Sequence, residues 1–143
     1  MTNFNARLLV VDDNDFDRDL FISYLESEGY QNISSAVDGQ EAIDAIEASN
    51  FDLILLDIDM PGVNGYQVLE HVKAHEHHRD IPIIVLSATE NEESVIKCIE
   101  LGAEDYLTKP PNTTLLRARL RVCLERKRLR DQEVIIQDQI EQD

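Results

Sequence analysis

The sequence lacks any long hydrophobic run, has little cysteine and is short of basic residues. Its longest apolar stretches, such as residues 8–11 and 53–56, fall far below the roughly 18 apolar residues that suggest a membrane-spanning helix. No targeting segment is visible at the N-terminus, so no membrane association and a cytoplasmic location are expected. Two cysteines, Cys98 and Cys123, exclude a disulfide-dense scaffold, and both are read as packing residues within helices. With 13 Lys and Arg against 29 Asp and Glu, the formal net charge is −16. A surface of that sign repels a phosphate backbone, which argues against direct nucleic-acid binding. Internal repeats and low-complexity segments are also missing.

What the chain does have is enough apolar material for one core. Its 143 residues, 43% of them hydrophobic, suit one domain and are too few for two ordinary ones. The few basic residues cluster late, as Arg117, Arg119, Arg121, Arg126, Lys127, Arg128 and Arg130. Only the acid Glu125 interrupts them, so this segment is read as a helix face or an intersubunit surface.

Residues 7–11, 53–56 and 83–86 are short continuous apolar runs. A strand reads this way when helices cover both faces of its sheet. Between the runs, helical spacing links Phe16, Leu20 and Tyr24 with Phe21 and Leu25. The same spacing links Ala42, Ile43 and Ile46, and then Tyr66, Leu69 and Val72. Gly29 follows the first helix, Asn91 with Glu92 and Glu93 can cap another, and Gly102 stands where that helix should stop. Weaker strands fit residues 32–35 and 105–108. Five strands, each followed by a helix, predict an α/β domain with a doubly wound parallel sheet.

In such sheets the functional site lies at the carboxyl ends of the strands. There the sequence puts Asp12 and Asp13 after the first run, Asp57 after the third, Ser87 after the fourth and Lys109 after the fifth. Three gathered carboxylates repel one another unless a cation neutralises them or some protonate. Hard oxygen donors with room for phosphate oxygens suit Mg²⁺. A carboxylate can serve as nucleophile in phosphoryl transfer when the moving charge is neutralised, here by Lys109 and the metal. The Ser87 hydroxyl can donate to a phosphoryl oxygen.

The blocks Val10-Val11-Asp12-Asp13, Leu55-Leu56-Asp57-Ile58-Asp59-Met60-Pro61-Gly62-Val63-Asn64-Gly65, Leu86-Ser87-Ala88 and Gly102-Ala103-Glu104-Asp105-Tyr106-Leu107-Thr108-Lys109-Pro110 resemble those of bacterial two-component response-regulator receivers. The likeness covers about residues 6–125, and the order of the blocks makes it specific. It implies the flavodoxin-like strand order 2-1-3-4-5. It further implies that Asp57 takes a phosphoryl group from a histidine kinase or a histidine phosphotransfer protein. Asp13 and Asp57 would bind Mg²⁺ directly, Asp12 would assist through water, and the Asp59 carbonyl would complete the protein ligands. Ser87 and Lys109 would hold the phosphoryl oxygens, and Ser87 with Tyr106 would form the switch. A cis Lys109–Pro110 bond is also implied. Asp59 departs from the pattern, since many such receivers carry a neutral residue at this position, where the side chain influences how long the phosphoryl group survives.

A haloacid-dehalogenase-like phosphatase would also set Asp57 two residues before Asp59, yet in that family the acidic pair follows the lysine, whereas Asp12 and Asp13 come first here. A degenerate receiver serving only for docking would not need all five site residues. His71, His75, His77 and His78 invite a metal proposal by their helical spacing, but no adjoining acid cluster completes a tetrahedral set, and they are read as a solvated helix end.

The last helix is expected to begin near Thr113 and to run on as an extended C-terminal helix. Residues 1–125 are read as the receiver domain and 126–143 as a helical linker or tail, leading to an output domain outside this chain. Leu115, Val122, Leu129 and Ile136 recur every seven residues, but Ala118, Glu125, Gln132 and Gln139 leave a coiled coil weakly specified. The pairs Asp105 with Arg119 and Glu104 with Arg126 fall where a receiver subfamily pairs across a dimer interface, so a phosphorylation-dependent homodimer is expected.

Overall fold

The computed structural model describes residues 2–88 and 91–142. Strand and helix alternate along the chain as β1 (Arg7–Val11), α1 (Asp15–Ser27), β2 (Asn32–Ala36), α2 (Gly39–Ala48) and β3 (Leu53–Asp57). They continue as α3 (Gly65–Ala74), β4 (Ile83–Ser87), α4 (Glu92–Glu100), β5 (Asp105–Thr108) and α5 (Thr113–Gln142). Among the described residues one parallel sheet forms, in the order β2-β1-β3-β4-β5. Expected and observed fold agree, and two strands run one residue further than their apolar runs. Asp57 pairs in register with Leu86, and Ser87 with Thr108.

The central strands β3 and β4 are buried along their whole length, as continuous apolar runs require. Alternate residues of each run serve opposite faces of the sheet. Leu9, Val11, Ile54, Leu56, Ile83 and Val85 pack with α2, α3 and Cys98 of α4. Leu8, Val10, Leu53, Leu55, Ile84 and Leu86 pack with α1 and α5, including Cys123. The two free cysteines are therefore core residues in separate layers, and burial pushes each thiol up to about 11. The edge strands β2 and β5 are only partly buried, which is why their sequence signal was weaker.

Asn14, Asp38, Asn64 and Asn91 cap α1 to α4 by accepting a backbone N–H from the first turn. Gly29 and Gly102 end α1 and α4 with φ of 106° and 104°, a left-handed conformation that favours glycine. One expected stripe divides. Phe21 and Leu25 of α1 are buried, but Phe16 is 74% and Leu20 50% exposed. The helix touches the sheet along a narrower stripe than its apolar content suggests, because α5 shares the same face. Among the described residues of α5 the last buried one is Leu124, and residues 131–141 are all exposed. Among the described residues no helix is long and apolar enough to cross a membrane.

Candidate functional site

The polar strand ends converge where the winding of the sheet reverses, between β1 and β3. Asp12 leaves β1 with its N–H donated to the Ala36 carbonyl at 3.1 Å, which carries its side chain to the carboxyl edge. There it is fully buried. Its Oδ1 accepts the Asn14 N–H at 2.9 Å and its Oδ2 accepts Lys109 Nζ at 2.6 Å. The Arg18 guanidinium donates to the Asp12 carbonyl at 2.9 Å, so both sides of this residue are held. Asp13, next in the chain, is exposed.

Asp57 closes β3 and is 3% exposed. Its Oδ1 accepts the Asp59 N–H at 3.0 Å, and its Oδ2 lies 3.4 Å from Lys109 Nζ. Lys109 follows β5, with its own N–H donated to the Ser87 carbonyl at 2.8 Å, and the Lys109–Pro110 bond is cis. Its ammonium thus stands among Asp12, Asp57 and Asp17, the last at 3.4 Å.

The electrostatics follow from burial and crowding. Desolvation pushes the Asp57 carboxyl up to about 7; the Asp59 N–H and Lys109 oppose this, while Asp12 and Asp13 reinforce it. Burial disfavours the charge on Lys109, yet Asp12, Asp57 and Asp17 together hold its ammonium above the usual lysine range. One carboxylate oxygen from each of Asp12, Asp13 and Asp57 lies within 4.8 Å of the others. Such a set of hard oxygen donors, only partly neutralised by one lysine, fits a hydrated Mg²⁺.

Sequence comparison decides the family. The model of the response regulator receiver domain matches residues 8–121. The chain belongs to this family. It is 38% identical over 122 residues to the transcriptional regulatory protein YvrH of Bacillus subtilis, covering 85% of this chain and 50% of that protein. It is likewise 38% identical over 120 residues to the phosphate regulon transcriptional regulatory protein PhoB of Escherichia coli, covering 84% and 52%. This receiver chain therefore spans about half the length of these curated relatives. Among solved structures, it resembles the receiver domain of sensor histidine kinase PA1611 from Pseudomonas aeruginosa, with a TM-score of 0.78 and 30% identity. That match covers 85% of this chain and 98% of the other, which holds a magnesium ion coordinated in its active site cleft. Receivers are signalling modules, and this membership sets the phosphatase reading aside.

Within this receiver Asp12, Asp13, Asp57 and Lys109 come together, whereas Ser87 faces a different partner. Its hydroxyl donates to Asp59 Oδ2 at 2.8 Å. Tyr106 is half-buried and packs against the layer formed with α2, α3 and α4. Sequence reasoning missed the side-chain contact of Asp59 with Ser87, and it missed Asp17 and Arg18. Both of the latter read as ordinary first-turn residues of α1, and only the return of β5 beside β4 brings Lys109 to Asp17. Asp105 meets Arg119 at 2.9 Å, and Glu104 meets both Arg126 at 3.4 Å and Arg130 at 2.9 Å, all within one chain.

Proposed function

We propose that this receiver accepts a phosphoryl group on Asp57 from a phosphohistidine donor, a histidine kinase or histidine phosphotransfer protein, in an Mg²⁺-dependent reaction. The supporting observation is the position of Asp57: a buried carboxylate at the end of β3, 3.4 Å from Lys109 and grouped with Asp12 and Asp13. In the transfer an Asp57 carboxylate oxygen attacks phosphorus and the bond from phosphorus to the donor's imidazole nitrogen breaks. The bonding pair stays on that nitrogen, which takes up a proton. Asp57 must be ionised to attack, and a carboxyl held near 7 becomes a better anion when cations stand beside it. Bound Mg²⁺ would supply that charge and screen the phosphoryl oxygens, held by Asp13, Asp57 and the Asp59 carbonyl, with Asp12 acting through water.

Lys109 holds a phosphoryl oxygen, and Ser87 turns from Asp59 to donate to another. The move of Ser87 is coupled to Tyr106 on the neighbouring strand, altering the face made by α4, β5 and α5. Residues 1–125 act as the receiver and residues 126–143 as a helical linker to an output domain. Treatment with a small phosphodonor, followed by mapping of the modified residue, tests the reading. One phosphoryl group per chain is expected on Asp57, dependent on Mg²⁺ and lost in Asp57→Asn. No labelling with Mg²⁺ present would instead mark a docking module.

A further inference from the structure

The end of the sheet opposite Asp57 carries a second group of ionisable side chains. α2 and α3 run back from the carboxyl edge, so their last turns lie near the starts of β3 and β4. There His71 Nε2 of α3 stands 2.7 Å from Glu47 Oε1 of α2. His75, one turn on, places its ring 4.4 Å from that of His71. One donor atom from each of Glu47, His71 and His75 lies within 4.8 Å of the others. His78 turns in from the following loop with its Nε2 3.7 Å from the same Glu47 oxygen. His78 is 9% exposed as a residue and 11% in its side chain, and its Nδ1 has no hydrogen-bond partner among the described residues.

We infer that Glu47, His71 and His75, with His78 beside them, form a binding site for a divalent transition-metal cation of the zinc class, separate from the acidic site at Asp57. Imidazole with one carboxylate is the donor set of Zn²⁺, Ni²⁺ or Cu²⁺, whereas Mg²⁺ prefers oxygen alone. The geometry is close to what such an ion needs. Bonds of about 2.0–2.2 Å in a tetrahedron put neighbouring ligand atoms roughly 3.3 Å apart, and the Glu47 oxygen already has imidazole nitrogens at 2.7 and 3.7 Å. His75 is oriented in advance. Its Nδ1 lies 2.7 Å from the His71 carbonyl, which fixes the proton there and leaves the Nε2 lone pair for a ligand.

The loop after α3 brings a further imidazole to the same carboxylate, since His78 Nε2 is the ring nitrogen that faces the Glu47 oxygen. On binding, the cation replaces the proton that His71 Nε2 shares with Glu47; the proton moves to His71 Nδ1 or to solvent.

The test is calorimetric titration of the full chain with Zn²⁺, using Asp13→Asn/Asp57→Asn as the background that removes the acidic site. One equivalent should still bind there. Adding His71→Ala/His75→Ala should weaken that binding by at least about 100-fold, given that even supporting residues are worth 10- to 100-fold. His78→Phe should weaken it about tenfold while preserving the volume of the buried ring. Co²⁺ in place of Zn²⁺ should give the intense visible bands of a tetrahedral site, and these should vanish with His71→Ala/His75→Ala. Circular dichroism checks that each variant is folded. Absence of Zn²⁺ binding in the background variant, or affinity unchanged by the histidine substitutions, would overturn the site. Because every arm lacks Asp57, the outcome is independent of the phosphoacceptor reading.

Discussion

Asp57 ends β3 inside a ring of like charge, and its carboxyl stays protonated to about 7 because burial outweighs the help of Lys109. The native chain therefore holds this proton more tightly than the unfolded chain, whose carboxyl titrates near 3.8. Its stabilising contribution is full below that value and is lost as pH rises through about 7. Asp57→Asn without Mg²⁺ is thus expected to raise stability at pH 8. The gain should shrink toward pH 4. Thermal unfolding at both ends of this range checks it, and Mg²⁺ should raise the melting temperature of the parent far more than that of the variant.

Asp59 acts on the same site through Ser87, whose hydroxyl it accepts at 2.8 Å. That bond competes with any phosphoryl oxygen for the same proton. A competing hydrogen bond is worth about 0.5–1.5 kcal/mol. Asp59→Asn should weaken the competition and remove a nearby negative charge, lengthening the aspartyl-phosphate lifetime roughly two- to tenfold. Decay of labelled protein after removal of the phosphodonor measures this, and an equal or faster decay would contradict it.

At the scale of elements, the site depends on turns that bring loops against the sheet. Gly39 opens α2 so close to the loop before α3 that a Cβ there would meet the Val63 carbonyl oxygen at 2.0 Å. Gly65 opens α3 against β3, where a Cβ would lie 2.6 Å from Ile58 Cα and 2.7 Å from the Asp57 carbonyl oxygen. Neither obstacle is a flexible side chain, so Gly39→Ala or Gly65→Ala should cost about 1–3 kcal/mol or more in chemical denaturation. Gly65→Ala should also slow phosphorylation, since it moves the segment that carries Asp57. Asn64 and Gln67 form a reciprocal capping box at the start of α3, and Asn64→Ala should cost about 1 kcal/mol. The Asn91 cap and the helix-ending Gly29 and Gly102 were legible in sequence because capping depends on residues within one turn. The split of the α1 stripe was not, because which apolar residues meet the core depends on how much of the face α5 covers.

Across the whole molecule, α5 is a core helix for its first turns and a solvated rod afterwards. Its 30 residues span about 45 Å at 1.5 Å per residue. Beyond Leu124 it is attached by Arg126 and Arg130 to Glu104 and by Lys127 to Asp52, surface pairs worth about 0.2–1 kcal/mol each. Removing residues 132–143 should therefore change stability by less than about 1 kcal/mol, whereas Leu124→Ala should cost about 2–5 kcal/mol. A phosphorylation-favoured homodimer through α4, β5 and α5 would exchange these intramolecular pairs for intermolecular ones. They would set its orientation more than its affinity, and solution mass before and after phosphodonor treatment tests whether it forms.

The linear chain determined the layers of this receiver, since apolar runs of strand length, helix spacing and local caps are all read over a few neighbouring residues. It also determined which polar groups stand at the strand ends, because in a parallel doubly wound sheet the residues just after the strands gather at one edge. Only the tertiary structure decided who faces whom. Ser87 turns to Asp59 across 28 positions, Asp17 reaches Lys109 across 92, and Glu47 meets His71 across 24. Those pairings depend on crossover geometry and on which side chain fills the space between packed elements, and neither is encoded in local spacing.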